Sequence, residues 1–258
     1  MQGEKIMNKS WIRWVPVAAL SLATSVALGN PFSGSNPQPG NLTWSGFSNN
    51  SVGASISGNG GATYMNVLAG QFQGFFDPAS EGNGTGPDDF FRFFCIDISQ
   101  YVDAGAAPYT RNLGVADATN SAQLTRLFDQ FYPNAATNTY YAGGPTNFGS
   151  FATANESAAF QLAVWEIWFD DDMNLATGTF RATSTAAALA QSYLDAVGTG
   201  STPADGWTLY EFDSANFQDY LSVTHSTVLR TTPEPGTLIL LCVAVLTAWA
   251  AMRRRQTA

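Results

Sequence analysis

Residues 156–169 read ESAAFQLAVWEIWF, and this stretch decides how the rest of the chain must be arranged. Just ahead of it, Thr153-Ala-Asn-Glu156 is a capping-box sequence, in which a hydroxyl and a carboxylate satisfy two of the orphan N–H groups at a helix start. The run is apolar on nearly every face, so the helix it predicts has to be enclosed by other elements rather than laid on a surface.

Working outward, two further helices are expected. Ser121 to Phe131 places Leu124, Leu127, Phe128 and Phe131 at helical spacing before Pro133 stops it, and Ser184 to Val197 ends at Gly198. The enclosing material is β-prone. From Asn41 to Phe76 short apolar alternations (Val52, Ala54, Ile56; Tyr64, Val67) sit among Ser, Gly, Asn and Thr, which reads as antiparallel strands. Asp77 to Asp89 is a loop, and Phe90 to Val102 (FFRFFCIDISQYV) is a strand with Phe91, Phe93, Cys95 and Asp97 on one face and Phe94, Ile96 and Ile98 on the other. Trp207 to Phe212 and Leu221 to Leu229 read as returning strands. Strands on both sides of a helical insert predict an α+β fold, an antiparallel β-sandwich or barrel-like sheet carrying the insert, with a signal helix before it and a sorting helix after it.

The two ends are of a different kind. Lys5, Lys9 and Arg13 precede an apolar run from Val15 to Leu28, followed by small residues up to Gly29 and then Asn30 and Pro31, the order of a secretory signal peptide over 1–29. At the other end Pro233-Glu234-Pro235 leads into an apolar segment from Thr237 to Met252 and then Arg253-Arg254-Arg255. Those 16 residues reach about 24 Å as a helix, short of a hydrocarbon core of ~30 Å, so the segment is a transient membrane anchor whose arginines mark the cytoplasmic side. This tripartite tail, 233–258, resembles the PEP-CTERM sorting signal of Gram-negative bacteria. The resemblance implies handling by signal peptidase and by the membrane protease-transferase exosortase, and delivery to the cell surface or extracellular matrix, often with biofilm polysaccharide. A single body of residues 30–232 is left to fold and function.

Composition narrows what that body does. Between Asn30 and Thr232 there are five arginines, no lysine and eighteen Asp and Glu, which argues against nucleic acid as a partner. Cys242 lies in the apolar tail, so the body holds only Cys95 and has no internal disulfide. A lone thiol in an oxidising compartment calls for intermolecular pairing, a reactive thiol or another covalent use. His225 is the only histidine, and no G-x-S-x-G, phosphate loop or dinucleotide fingerprint occurs, which argues against a turnover enzyme and against any cofactor. Asp170 to Asn174 (DDDMN) lacks the central glycine of an EF-hand and ends on Arg181 rather than Glu; it reads as a solvated helix end, with no metal.

Gln161 is a polar exception within the central helix, with Trp165 and Trp168 on its face. Phe94-Cys95-Ile96-Asp97 and Phe160-Gln161-Leu162-Ala163-Val164-Trp165 together resemble the two motifs of the Cys–Gln thioester domains of bacterial surface adhesins. The resemblance implies a bond between Cys95 and Gln161 that captures an amine or hydroxyl on a surface polysaccharide or protein. Phe93, Trp165 and Trp168 are candidates to shield it and Asp97 to assist it, and the missing lysines remove competing side-chain amines. Two alternatives stand beside this reading: a non-covalent structural or carbohydrate-binding matrix module, and a hydrolase using Cys95 with His225.

Overall fold

The computed structural model describes residues 35–79, 90–102, 105–133, 149–170, 172–199 and 207–225. Six strands, β1 (Gln38–Phe47), β4 (Phe72–Pro78), β5 (Phe90–Cys95), β9 (Tyr220–His225), β8 (Trp207–Asp213) and β6 (Ala106–Leu113), close in that order into an antiparallel barrel. Closure follows from strand alternation, because Phe72, Phe76, Phe91, Phe93, Phe212 and Tyr220 all turn to one buried side. Their rings pack at 4.7 Å (Phe91–Phe93), 4.9 Å (Phe91–Phe212) and 4.6 Å (Phe93–Tyr220) between centroids. A smaller sheet, β3 (Met65–Ala69), β2 (Val52–Ser57) and β7 (Arg181–Ser184), lies outside the barrel.

The helical insert runs between β6 and β8: α1 (Ala118–Phe131), α2 (Ala154–Phe169) and α3 (Ala187–Thr199). In α2 the capping box forms as expected, with Glu156 N donating to Thr153 Oγ1 (3.1 Å) and Thr153 N to Glu156 Oε2 (2.9 Å). Every residue from Ser157 to Ile167 is buried, since α2 packs on α1 and α3 and also meets β2, β3 and β5. Phe94, on the other face of β5 from Phe91 and Phe93, reaches into this helical layer against Phe160 (4.8 Å) and Phe128 (5.9 Å).

Three expectations about elements change. Helix α1 starts at Ala118 because Asp117 caps it, accepting from Thr119 N (2.8 Å) and Asn120 N (2.9 Å). Helix α3 starts at Ala187 rather than Ser184, because Arg181 to Ser184 pairs with β2 as a four-residue strand. Strand β5 stops at Cys95 instead of continuing to Val102; beyond it Asp97 Oδ1 accepts from Ser99 N (2.6 Å) and Ser99 Oγ (2.7 Å) and turns the chain. The signal and sorting helices fall outside the described residues, among which no helix is long and apolar enough to cross a membrane.

Candidate functional site

Cys95 closes strand β5, and its partner in the neighbouring strand β9 is Tyr220. That pairing brings the residues just before β9 alongside the residues just after β5. Ile96 N donates to Asp219 O (3.0 Å) and Gln218 N to Tyr101 O (3.3 Å), while Tyr109 Oη donates to Gln218 O (2.9 Å). The backbone of Gln218 is therefore held from both sides, and its side chain is directed at the sulfur: Gln218 Nε2 contacts Cys95 Sγ and Asp97 O.

Gln161 reaches Cys95 by another route. Its Oε1 accepts from Cys95 N (3.0 Å) and its Nε2 donates to Cys95 O (2.8 Å), so the carboxamide acts as a one-residue strand completing the pairing of β5. The structure thus brings together Cys95 and Gln161, the two residues singled out from the sequence, but joins Gln161 to the Cys95 backbone and places a different carboxamide, that of Gln218, at the sulfur. Gln161 is fully buried, so these two bonds satisfy an amide that would otherwise be costly.

The sulfur itself is 2% exposed at residue level, and burial pushes its thiol far above the ordinary cysteine range. The Trp165 indole N–H, the Asp97 backbone and the Gln218 carboxamide oppose that shift without reversing it. Sγ donates to Asp97 O (3.2 Å). Burial keeps the thiol neutral, which shields it from oxidation and lowers its nucleophilicity, and it lies against the Gln218 carboxamide.

A cavity of about 480 Å³ opens beside the sulfur, with Trp44, Phe72, Cys95, Tyr101, Trp165 and Gln218 in its wall. Tyr101 is 89% exposed at its rim. Of the other expected site residues, Trp165 lines this cavity, Phe93 fills the barrel interior, and Trp168 sits half-buried with its carbonyl accepting from Asn120 Nδ2 (3.4 Å). The Asp97 carboxylate is engaged with Ser99 rather than aligned with the sulfur, because the strand that would have aligned it ends two residues earlier. On the far side of Gln218, Asp219 adds a carboxyl that burial, with Asp213 and Asp97 nearby, pushes up to about 6. Glu211, half-buried and beside Asp213, is pushed up to about 7 by burial and by that neighbouring carboxyl.

Gln218 was not singled out from the sequence, yet it is the carboxamide that the fold places at the sulfur. Phe160-Gln161 and Phe217-Gln218 are the same dipeptide, and only the β5–β9 pairing tells which glutamine faces the sulfur.

Residues 231–255 match the PEP-CTERM protein-sorting motif. The chain carries a sorting signal for export. The motif, which is recognised by exosortase during export, implies that the protein crosses the membrane and becomes associated with the surface or matrix, and its matched span includes Pro233, Glu234, Pro235, Arg253, Arg254 and Arg255. No curated protein and no solved structure matches the chain. For this exported protein, then, the barrel site is read from its own geometry.

Proposed function

We propose that the exported body forms an internal thioester between Cys95 and Gln218, and uses it once to attach covalently to an amine or hydroxyl on a neighbouring protein or polysaccharide. The observation that carries this reading is the contact of the Gln218 carboxamide with the buried Cys95 sulfur. In the forming step Sγ bonds to Gln218 Cδ, the C–N bond of the amide breaks, and the thiol proton leaves with the nitrogen as ammonia. In the capture step the target's nitrogen or oxygen bonds to Cδ, the C–S bond breaks, and the thiol is regenerated on Cys95. Each molecule reacts once, so this is attachment rather than enzymatic turnover.

Gln161 has a positioning part in this scheme. By holding both backbone groups of Cys95, it fixes the direction in which the sulfur leaves the strand. Trp165 and the other apolar residues of the cavity wall give the acyl group an apolar surround, and the absence of lysine between Asn30 and Thr232 leaves no side-chain amine to consume it.

Intact-mass spectrometry of the purified exported protein tests the bond. A mass short by one ammonia, replaced after methylamine treatment by one adduct mapped to Gln218 together with a titratable Cys95 thiol, is the expected result. Full mass with a free thiol in folded protein would remove the covalent reading and leave a non-covalent matrix module whose apolar cavity is its binding site.

A further inference from the structure

At the far end of α2 from its cap, three carboxylates converge. Oxygens of Glu166, Asp170 and Asp172 all lie within 4.8 Å of one another. Glu166 is a helical residue with no exposure, while Asp170 and Asp172 belong to the loop that follows. Asn174 N is shared by Glu166 Oε1 (2.8 Å) and Asp172 Oδ1 (2.9 Å), which turns those two carboxylates toward each other. Gly178 has φ +70°, and a Cβ there would stand 2.7 Å from Asp172 Oδ2 and closer still to Asp170, so the loop folds back over the acidic group with no room for a side chain.

A second observation turns this acidic group into a site. Glu166 Oε2 is buried and has no hydrogen-bond partner. A carboxylate oxygen inside a protein without a donor is costly, and more so with two like charges beside it. Burial, with Asp172 beside it, pushes the Glu166 carboxyl up to about 8, so without a cation the group stays protonated, and a bound cation is what would let all three carboxylates be charged together. Arg181, the cation that follows the loop, donates its Nε to Gly178 O (3.2 Å) and also acts on Asp172, whose carboxyl is held below its ordinary value, against burial, by Thr177, Glu166, Asn174 and Arg181.

We propose that Glu166, Asp170 and Asp172 bind a divalent cation, and that the cation is Ca²⁺. The donors are all hard oxygens, which suits Ca²⁺ or Mg²⁺ over zinc or copper. An irregular loop following a helix, with carboxylates at uneven spacing, suits the irregular, high-coordination shell of Ca²⁺ better than the strict octahedron of Mg²⁺. Export supplies the ion, since extracellular modules work with dissociation constants of roughly 10⁻⁴–10⁻³ M. The bound ion ties the C-terminal end of α2 to the loop leading into β7, the same helix that presents Gln161 and Trp165 to Cys95. The proposal does not depend on the thioester.

Isothermal titration of CaCl₂ into the chelator-treated, desalted protein tests it, together with thermal melts in CaCl₂, MgCl₂ and NaCl of matched ionic strength. One site is expected, with Tm rising by about 3–6 °C at a tenfold excess over the dissociation constant and a smaller rise in MgCl₂. Asp172→Asn, at an exposed loop position, is expected to fold and to lose the heat and the shift; Glu166→Gln is expected to lose them too. No binding heat and no Ca²⁺-dependent shift in the folded wild-type protein would overturn the site. So would a shift that persists unchanged in both variants, which would reveal a general ionic effect.

Discussion

Two glutamines touch Cys95, and they do different things to it. Gln161 contacts only backbone, so Gln161→Ala strands the Cys95 N–H and C=O inside the protein and is expected to cost about 1–3 kcal/mol in a denaturant titration. Folded Gln161→Ala protein is still expected to show the ammonia deficit by mass. Gln218→Ala is expected to have full mass and a free Cys95 thiol. The reverse pattern, with the deficit kept in Gln218→Ala and lost in Gln161→Ala, would return the bond to Gln161. At this scale the sequence was half legible. Cys95 stood out because it is the body's lone thiol, and Gln161 because it interrupts an apolar helix. Gln218 lies two residues before β9 among ordinary neighbours, and nothing within a few residues of it marks its contact with the sulfur.

Among the elements, α2 matters most because it carries Gln161, Trp165 and Glu166 on one buried rod. Thr153→Ala removes one half of its capping box and is expected to lower unfolding free energy by about 1 kcal/mol, measured by urea titration. The barrel has its own sensitive point at Gly74, which pairs with Trp44 on β1 and Phe91 on β5. A Cβ at that position would meet Thr43 O at 2.2 Å, so Gly74→Ala is expected to destabilise by about 1–3 kcal/mol through overpacking. A melting temperature equal to wild type would show that β1 and β4 can part without loss. Helix α2 was legible because capping and apolar periodicity are local. Strand β7 was not, because four residues after a loop become a strand only when β2 offers its edge.

Across the whole molecule, acidity shapes the response to pH. Glu211 and Asp219 have folded-state values pushed up to about 7 and about 6. Their unfolded values lie lower, so between about pH 5 and 7.5 the native state binds more protons than the unfolded chain. Stability contributed by these groups therefore falls as pH rises through that window. Melting temperature is expected to be several degrees higher at pH 5 than at pH 7.5, with a shallower slope in Glu211→Gln; a rise with pH would contradict the assignment. A second whole-molecule effect comes from the proposed bond, which joins residues 123 apart. Treated as a cross-link, it is worth about 5 kcal/mol at most, and methylamine-opened protein is expected to melt at a lower temperature than intact protein.

Taken alone, the sequence determined the tail signal at 231–255, the α+β character and the central buried helix, and it singled out Cys95 as the body's lone thiol. Each of these is written in residues adjacent in the chain or at a fixed helical or strand spacing, where local chemistry suffices. Tertiary structure decided the closed barrel, the short strand β7, the turning of Asp97 toward Ser99, the gathering of Glu166 with Asp170 and Asp172, and the choice of Gln218 over Gln161 at the sulfur. The physical reason is strand pairing: the antiparallel pairing of β5 with β9 closes a separation of more than a hundred residues, and no local pattern encodes which strand edge another will find.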